Sequence, residues 1–402
     1  MSNAPLQGSA LSELFQQLSS VLQRYRQYWQ FSPMNCQTLP FSPALNAQLS
    51  QLGASELAVL DQDPQQQRRC FAEYFPELMT LPLWLTASKT ADNSPWPFWL
   101  TNGIHGRKLT QIQQFCQFIP EQALPVLEWC AGKGHLGRLF AAQSSRTVTS
   151  IEWQPSLCEA GSALASQHKI PQQFIQADVL TTAGAAAVHA EQQVLALHAC
   201  GELHLQLLAV AVAKGCQQLQ VAPCCYHLIS SSDYQPLSKQ AQADALALSR
   251  QDLKLAVQGQ VTAGERVSRL RQTEVTWRLA YDEWRALHTG QRAYQPLPSL
   301  PKQWFSGDFA AFAKMAASLQ HLIAPAVTDW PSYLAAGEAR YLLVQRLDIV
   351  RHLFRRPLEL YLVLDRALYL QQHGYQVSVQ AFCDYQLTPR NLLLQASLNP
   401  AV

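Results

Sequence analysis

Between residues 124 and 223 five short apolar runs alternate with helical segments, and nothing else in the 402-residue chain constrains its fold so tightly. The runs lie at 125–128, 148–152, 173–177, 194–198 and 219–222, with segments such as 203–214 between them at helical spacing. Strands separated by helices cannot close as hairpins. They must be joined by crossovers, which are right-handed and give a parallel sheet, so the expectation is an α/β fold.

The rest of the chain reads around this core. Residues 1–120 are expected to form a helical N-terminal region. Leu11, Leu14, Phe15, Leu18 and Leu22 recur at helical spacing, Tyr25, Tyr28 and Trp29 continue that helix, and the passage Ser94-Pro-Trp-Pro-Phe-Trp99 leads to a helix near 108–119. Residues 121–229 hold the first portion of the core. Residues 230–337, proline-rich and arginine-bearing, break the alternation and read as an insertion that shapes a substrate cleft. Residues 338–402 return to the core, with helices at 339–354 and 358–372 separated by Pro357, Gly374 ending the second, and strands at 376–382 and 391–396. A long helix followed by a terminal strand pair completes a seven-stranded Rossmann-like sheet with its last strand antiparallel. A dinucleotide-binding domain would need a second βαβ half instead.

Composition narrows the setting. Charged residues make up 14% and nearly cancel at +2, so bulk electrostatics name no partner. No secretory signal opens the chain, and no run approaches the roughly 18 apolar residues of a membrane span. Ten cysteines are scattered without a C-x-x-C pair, which suits reduced thiols in the cytoplasm.

The first apolar run leads into Glu128-Trp-Cys-Ala-Gly-Lys-Gly-His-Leu-Gly137 and then a helix. Two readings fit this loop. Gly132, Gly134 and Gly137 have the G-x-G-x-x-G spacing of a nicotinamide site, with Glu152 following by about 20 residues. The same stretch fits E-x-G-x-G-x-G, the S-adenosylmethionine loop, with Cys130 in place of the first glycine. Glu128 favours the second reading: a carboxylate would oppose a pyrophosphate but would face the cationic sulfonium–amino acid end of S-adenosylmethionine. Glu152, ending the second run, is expected to take the ribose hydroxyls, and Asp178, ending the third, the adenine amino group. Ala131, Leu136, Trp153, Val179 and His198 complete the expected cofactor set. A β-carbon at Cys130 is tolerable if φ stays negative there. For each acid the alternative is a strand-end residue capping the next helix.

Beside the loop stand Leu197-His-Ala-Cys-Gly-Glu-Leu203, Ala222-Pro-Cys-Cys-Tyr-His227 and Leu387-Thr-Pro-Arg-Asn-Leu392. With these motifs the chain resembles a family of methyltransferase-like proteins whose eukaryotic members include one named for a ribosomal RNA adenine dimethylase domain. The His-x-Cys-Gly and Cys-Cys-x-His pieces are also similar to those of a tRNA ribose O-methyltransferase family. The resemblance covers about 124–230 and 340–397. A weaker match at Gly106-Arg-Lys108 adds Lys108 as a contact for the cofactor carboxylate or a phosphate. It implies a Rossmann-like methyltransferase fold, S-adenosylmethionine as cofactor, and RNA as the acceptor class.

Methyl transfer from a sulfonium is an in-line displacement, in which the protein positions the acceptor and removes its proton. The ends of the fourth and fifth runs carry the candidates: His198 or His227 as base, Tyr226 to stack on or hydrogen-bond an acceptor, and Cys224 or Cys225 as a minor candidate for a covalent nucleophile. His198, Cys200, Cys224, Cys225 and His227 would suit zinc, but strand neighbours point to opposite faces, so Cys224 and Cys225 are not expected to share a metal and none is assigned.

Arg266, Arg269, Arg271, Arg278, Arg285 and Arg292 interleave with Trp277 and Trp284, and Arg340, Arg346, Arg351, Arg355 and Arg356 crowd one later stretch. Rings and guanidiniums together suit RNA, either tRNA or rRNA; the alternative is a solvated helix face. The expectation is therefore an S-adenosylmethionine-dependent RNA methyltransferase. A protein methyltransferase and a non-catalytic binding module of the same fold are the rivals.

Overall fold

The computed structural model describes residues 4–86, 96–244, 246–258, 265–323 and 328–398. Two compact units divide the chain. The first holds Met1–Arg24, Thr80–Val261 and Arg355–Val402, and the second holds Tyr25–Met79 and Thr262–Phe354.

The first unit is built on one eight-stranded sheet. Its strands are β1 (Leu6–Gln7), β2 (Val126–Trp129), β3 (Val148–Glu152), β4 (Gln172–Gln176), β5 (Gln193–Cys200), β6 (Gln218–Cys224), β7 (Gln376–Ala381) and β8 (Leu392–Ser397), in the order β1-β7-β8-β6-β5-β2-β3-β4. Strands β2 to β6 pair in parallel, and β8 runs antiparallel to both of its neighbours, β6 and β7. This is the Rossmann-like methyltransferase sheet that the alternation and the terminal strand pair predict. The eighth strand, β1, is two residues long and pairs with the outer edge of β7, too short to leave a periodic trace.

Both faces of β2 and β6 are covered, since every residue of each is buried, the polar Glu128, Gln218 and Gln220 included. One layer over the sheet includes the helices Gly106–Cys116 and His135–Ser144, which join Ile112, Phe115, Leu136 and Leu139 to Val126, Val148 and Leu195 in one cluster. Elsewhere the helix Arg355–Gln372 is buried along almost its whole length and stacks Tyr361 on Phe15 of the helix Ser9–Arg24 at 4.7 Å. Pro357 does not separate a pair of helices as the sequence suggests. It sits in the first turn of Arg355–Gln372, where its missing N–H would have had no intrahelical partner, and the break falls at His352–Phe354. The predicted first helix likewise stops at Arg24, and Arg26–Trp29 forms a separate turn.

A buried polar relay crosses this unit. Asp365 accepts from the backbone N–H of Leu237 at 2.9 Å and Ser238 at 2.7 Å, and from the Tyr234 hydroxyl. Its neighbour Arg366 donates to His204 Nε2 at 2.8 Å, and His204 Nδ1 donates to the Ala199 carbonyl at 3.0 Å. The relay thus runs from the core helix to the carboxyl end of β5.

The second unit packs the helices Glu265–Thr289, Phe309–Leu319 and Trp330–Arg351 around Trp277, Tyr281, Trp284, Phe305, Phe312 and Trp330. It unites two stretches, 25–79 and 262–354, that lie apart in the chain. Residues 94–95 of the proline–aromatic passage, and 245, 259–264 and 324–327 of the insertion, lie outside the described residues. No helix among the described residues is long and apolar enough to cross a membrane.

Gly201 turns the chain out of β5 at φ +50°, and a β-carbon there would meet the Leu228 carbonyl oxygen at 2.0 Å. Gly201→Ala should therefore cost about 3 kcal/mol in chemical denaturation, from a left-handed backbone and a clash with another backbone segment. Gly106→Ala, with no atom within 4 Å of the added carbon, should be neutral or slightly stabilising.

Candidate functional site

The loop after β2 is anchored from below by Glu128. Its carboxylate accepts from Ser150 Oγ at 2.6 Å and from the backbone N–H groups of Leu136 and Gly137, at the start of the helix His135–Ser144. Gly137 is required by this contact, since a β-carbon there would lie 2.5 Å from Glu128 Oε2. The carboxyl is only 4% exposed, and burial pushes it up to about 7 against the pull of its hydrogen bonds and of Lys108.

Glu152, at the end of β3, holds the loop from the other side. Its two oxygens accept from the N–H of Gly132 at 2.9 Å and of Gln154 at 3.1 Å. Asp178, exposed after β4, accepts from Leu180 N–H at 2.9 Å, with Val179 buried beside it. The thiol of Cys130 is pushed up to about 12, first by burial and then by the charges of Glu152, Cys200 and Asp178. Cys130 itself has φ +55°, which corrects the expectation of a negative φ there.

Above the loop is a cavity of about 560 Å³. Lys108, Glu128, Cys130, Ala131, Gly132, Leu136 and His198 line it, as expected from sequence. Gly134, Glu152, Trp153, Asp178, Val179, Cys224, Tyr226 and His227 are not among its walls. Walls that sequence reasoning missed are His105, Arg107, Gln111, Ile112, Trp129, His135, Leu197 and Thr388. Some left a signal: His135 lies inside the loop motif, Gln111 follows Lys108 by one helical turn, and Thr388 belongs to the Leu387–Leu392 motif.

His198 lines the cavity at φ +61°, with Nε2 donating to Gln111 Oε1 at 3.1 Å. Burial, then the charges of Arg390 and Lys108, lower its pKa to about 4, so the ring is neutral near pH 7. His135 is lowered to about 4 in the same way, and its Nδ1 accepts from Arg138 at 3.1 Å.

Three expectations about the strand ends are corrected. Tyr226 is fully buried, its ring packed under the Arg366 guanidinium at 5.1 Å and its hydroxyl donating to the Pro223 carbonyl at 3.3 Å, so it presents no face to an acceptor. Cys224 is buried against Cys200, and its thiol is held far above the ordinary range, first by the hydrogen bond with Cys200, then by that with Cys225 and by burial, which removes it as a nucleophile. The strand alternation expected to keep Cys224 and Cys225 apart ends at Cys224, because Cys225 turns to φ +48°. As a result the sulfurs of Cys200, Cys224 and Cys225 lie within 4.8 Å of one another. His227 is half-buried beside them, and its Nδ1 is enclosed with no hydrogen-bond partner.

Several of the arginines expected to meet RNA are engaged inside the second unit, while Arg266, Arg269, Arg271 and Arg292 are exposed. Arg285 and Arg340 hold Asp282 at 2.8 and 3.1 Å, Arg346 donates to the Ser50 and Leu52 carbonyls, and Arg278 to those of Leu297 and Pro298. Trp277 and Trp284 are buried in that unit's core.

Residues 107–232 match a protein-family profile described as a methyltransferase domain. No curated protein matches the chain. Among solved structures, WbdD aligns at 16% identity over 36% of this chain and 30% of its own, less than a third of that protein, with a TM-score of 0.26. The cyclopropane synthase MmaA2 of Mycobacterium tuberculosis aligns at 10% over 78% and 91%, with a TM-score of 0.26. PKMT2 of Rickettsia typhi, solved with AdoHcy, aligns at 14% over 63% and 52%, with a TM-score of 0.22. Likenesses this remote carry no function across. The matched segment holds the buried Glu128, the open glycine loop and the Glu152 that anchors it, and with the cavity above the loop these fit S-adenosylmethionine.

Glu128 makes stability depend on pH. Its folded value of about 7 lies above the ordinary 4.5, so the folded chain keeps a proton that the unfolded chain releases. That contribution is full below pH 4.5 and is lost as pH rises to about 7, up to about 3 kcal/mol. The stability difference between wild type and Glu128→Gln, measured by denaturation from pH 4 to 8, should change by that amount across the window and be flat above it. Cys130→Gly removes a left-handed β-carbon and should raise stability by up to about 1 kcal/mol, whereas Cys130→Val should lower it.

Proposed function

We propose that the chain transfers a methyl group from S-adenosylmethionine to RNA. The observation that carries the reading is the Glu152–Gly132 bond at 2.9 Å, which fixes an open loop between a buried acid and a 560 Å³ cavity. When bound, S-adenosylmethionine supplies an electrophilic methyl on a sulfonium. Glu128 then faces its cationic end and Lys108 its carboxylate, while Glu152 and Asp178 hold the sugar and base from the β3 and β4 ends. His198, neutral and with Nδ1 free while Nε2 is donated to Gln111, is the group on the cavity wall able to take an acceptor proton.

RNA as acceptor rests on the rim of this cavity and not on the arginines of the second unit. His105, Arg107 and Lys108 stand exposed on one wall, Lys133 is exposed on the loop, and Trp153 is 64% exposed just past Glu152. Cationic groups with an open ring suit a polyanion whose bases can stack. None of the ten cysteines is paired in a disulfide, which supports a cytoplasmic location.

Calorimetric titration of S-adenosylmethionine tests the cofactor, and Glu152→Ala should weaken binding about 10- to 100-fold. Affinity should rise as pH passes about 7, since a cation draws the proton from Glu128, and Glu128→Gln should bind weakly with no such rise. Methyl-labelled cofactor incubated with RNA and protein from a strain lacking the chain then identifies the acceptor. Label removed by ribonuclease, and reduced about 10-fold or more by Arg107→Glu with Lys133→Glu, supports RNA. Label in protein would assign a protein acceptor, and no binding of the cofactor by the folded chain would leave a binding module.

A further inference from the structure

The thiols at the ends of β5 and β6 take no role in the cofactor cavity. Cys200 closes β5, Cys224 closes β6 directly opposite it, and Cys225 follows. Two backbone irregularities bring them together. A register shift between Leu197 and Ala199 aligns Cys200 with Cys224, and the left-handed Cys225 turns the chain so that its sulfur joins the other two. The Cys200 and Cys224 sulfurs are 3.4 Å apart, and all three lie within 4.8 Å of one another.

We propose that Cys200, Cys224 and Cys225 form a binding site for one zinc ion, held by three thiolates at the carboxyl edge of the sheet. With Zn–S bonds of about 2.3 Å, tetrahedral ligation separates sulfurs by roughly 3.8 Å, a spacing the three atoms reach with small shifts. Three soft donors from two adjacent strands select a thiophilic d¹⁰ cation over calcium or magnesium, which require oxygen ligands. On binding, each thiol gives up its proton to solvent and no electron is transferred. The product, one dication with three thiolates, carries a single negative charge. Arg390 offsets it, since its guanidinium already acts on both Cys200 and Cys225 from the turn between β7 and β8.

A fourth ligand is close at hand. His227 lies two residues beyond Cys225, and its enclosed Nδ1 has no hydrogen-bond partner. It is outside the 4.8 Å cluster as it stands, so the fourth position belongs to its ring after a small swing or to solvent. Ligation would tie β5 to β6 beyond the last ladder pair and fix the backbone at His198 beside the cavity.

The test uses the full chain, stripped with a chelator under a non-thiol reductant and titrated with cadmium, which reports thiolate ligation by near-ultraviolet charge transfer. One equivalent per chain should saturate the band, and zinc should displace it. Cys225→Ser and Cys224→Ser should each weaken binding by at least about 100-fold, while Cys216→Ser, a buried thiol outside the cluster, should leave it unchanged. Cys225 is only half-buried, so its variant answers even if Cys224→Ser does not fold. No band at one equivalent in wild type, a band that survives in Cys225→Ser, or one lost equally in Cys216→Ser would overturn the proposal.

Discussion

The fold meets its chemistry at the carboxyl of Glu128. A carboxylate buried to 4% exposure is tolerable only when its lone pairs are met, and here a serine from β3 and the first free N–H groups of a helix meet them. That requirement sets the geometry around it. The helix must start directly over the end of β2, Gly137 must lack a side chain, and Gln172 of β4 must reach both Ser150 Oγ at 2.8 Å and the Gly134 carbonyl at 2.9 Å. One acid thereby aligns three strands and a helix, and the loop is held between them. The same burial keeps the carboxyl close to its titration point, so a cation entering the cavity can ionise it.

A second polar anchor does comparable work at the other strand ends. Arg366 is almost wholly buried and donates through Nε and Nη1 to His204, Tyr234 and Leu362, while its Nη2 has no partner among the described residues, and His204 in turn holds the Ala199 carbonyl. Since a guanidinium only donates, His204 must present a lone pair at Nε2 and a proton at Nδ1. Burial, followed by the Arg366 charge, holds its pKa far below the usual range, which keeps that tautomer at any physiological pH. The end of β5 is thus fixed from beneath, and His198 and Cys200 flank the fixed residue.

What was legible in the sequence is what the chain encodes locally. Glu128, Glu152 and Asp178 end or follow consecutive strands, so spacing alone brings them to one edge of a parallel sheet, and the alternation of runs gives the sheet itself. Roles that depend on distant partners were not legible. Nothing near Arg340 in the chain announces Asp282, and nothing near Tyr226 announces Arg366, 140 positions later, whose charge covers its ring. Both residue types have dual uses, and tertiary contacts decide between them. The thiol cluster failed for a narrower reason. Period-two alternation holds only while the backbone stays extended, and a single left-handed residue cancels it.

That residue is one of a set. Cys130 and Cys225 have positive φ just beyond the carboxyl ends of β2 and β6, and His198 has it within β5, at that strand's register shift; the three strands are adjacent in the sheet. The other three such non-glycine residues, Ser145, Lys169 and His321, follow helix ends, where a left-handed residue is an ordinary way to stop. Cys130, His198 and Cys225 end no helix, His198 sitting instead in the irregularity of β5, and each costs about 1 kcal/mol. Glycine would remove the cost at all three positions, yet the chain places a thiol, an imidazole and a thiol there. Strain of this kind persists when the side chain is needed where only that backbone can put it. Together the three aim a cysteine and a histidine into the cavity wall and a second cysteine into the neighbouring thiol cluster, so the cost falls along the edge of the sheet that carries the cavity and the thiols.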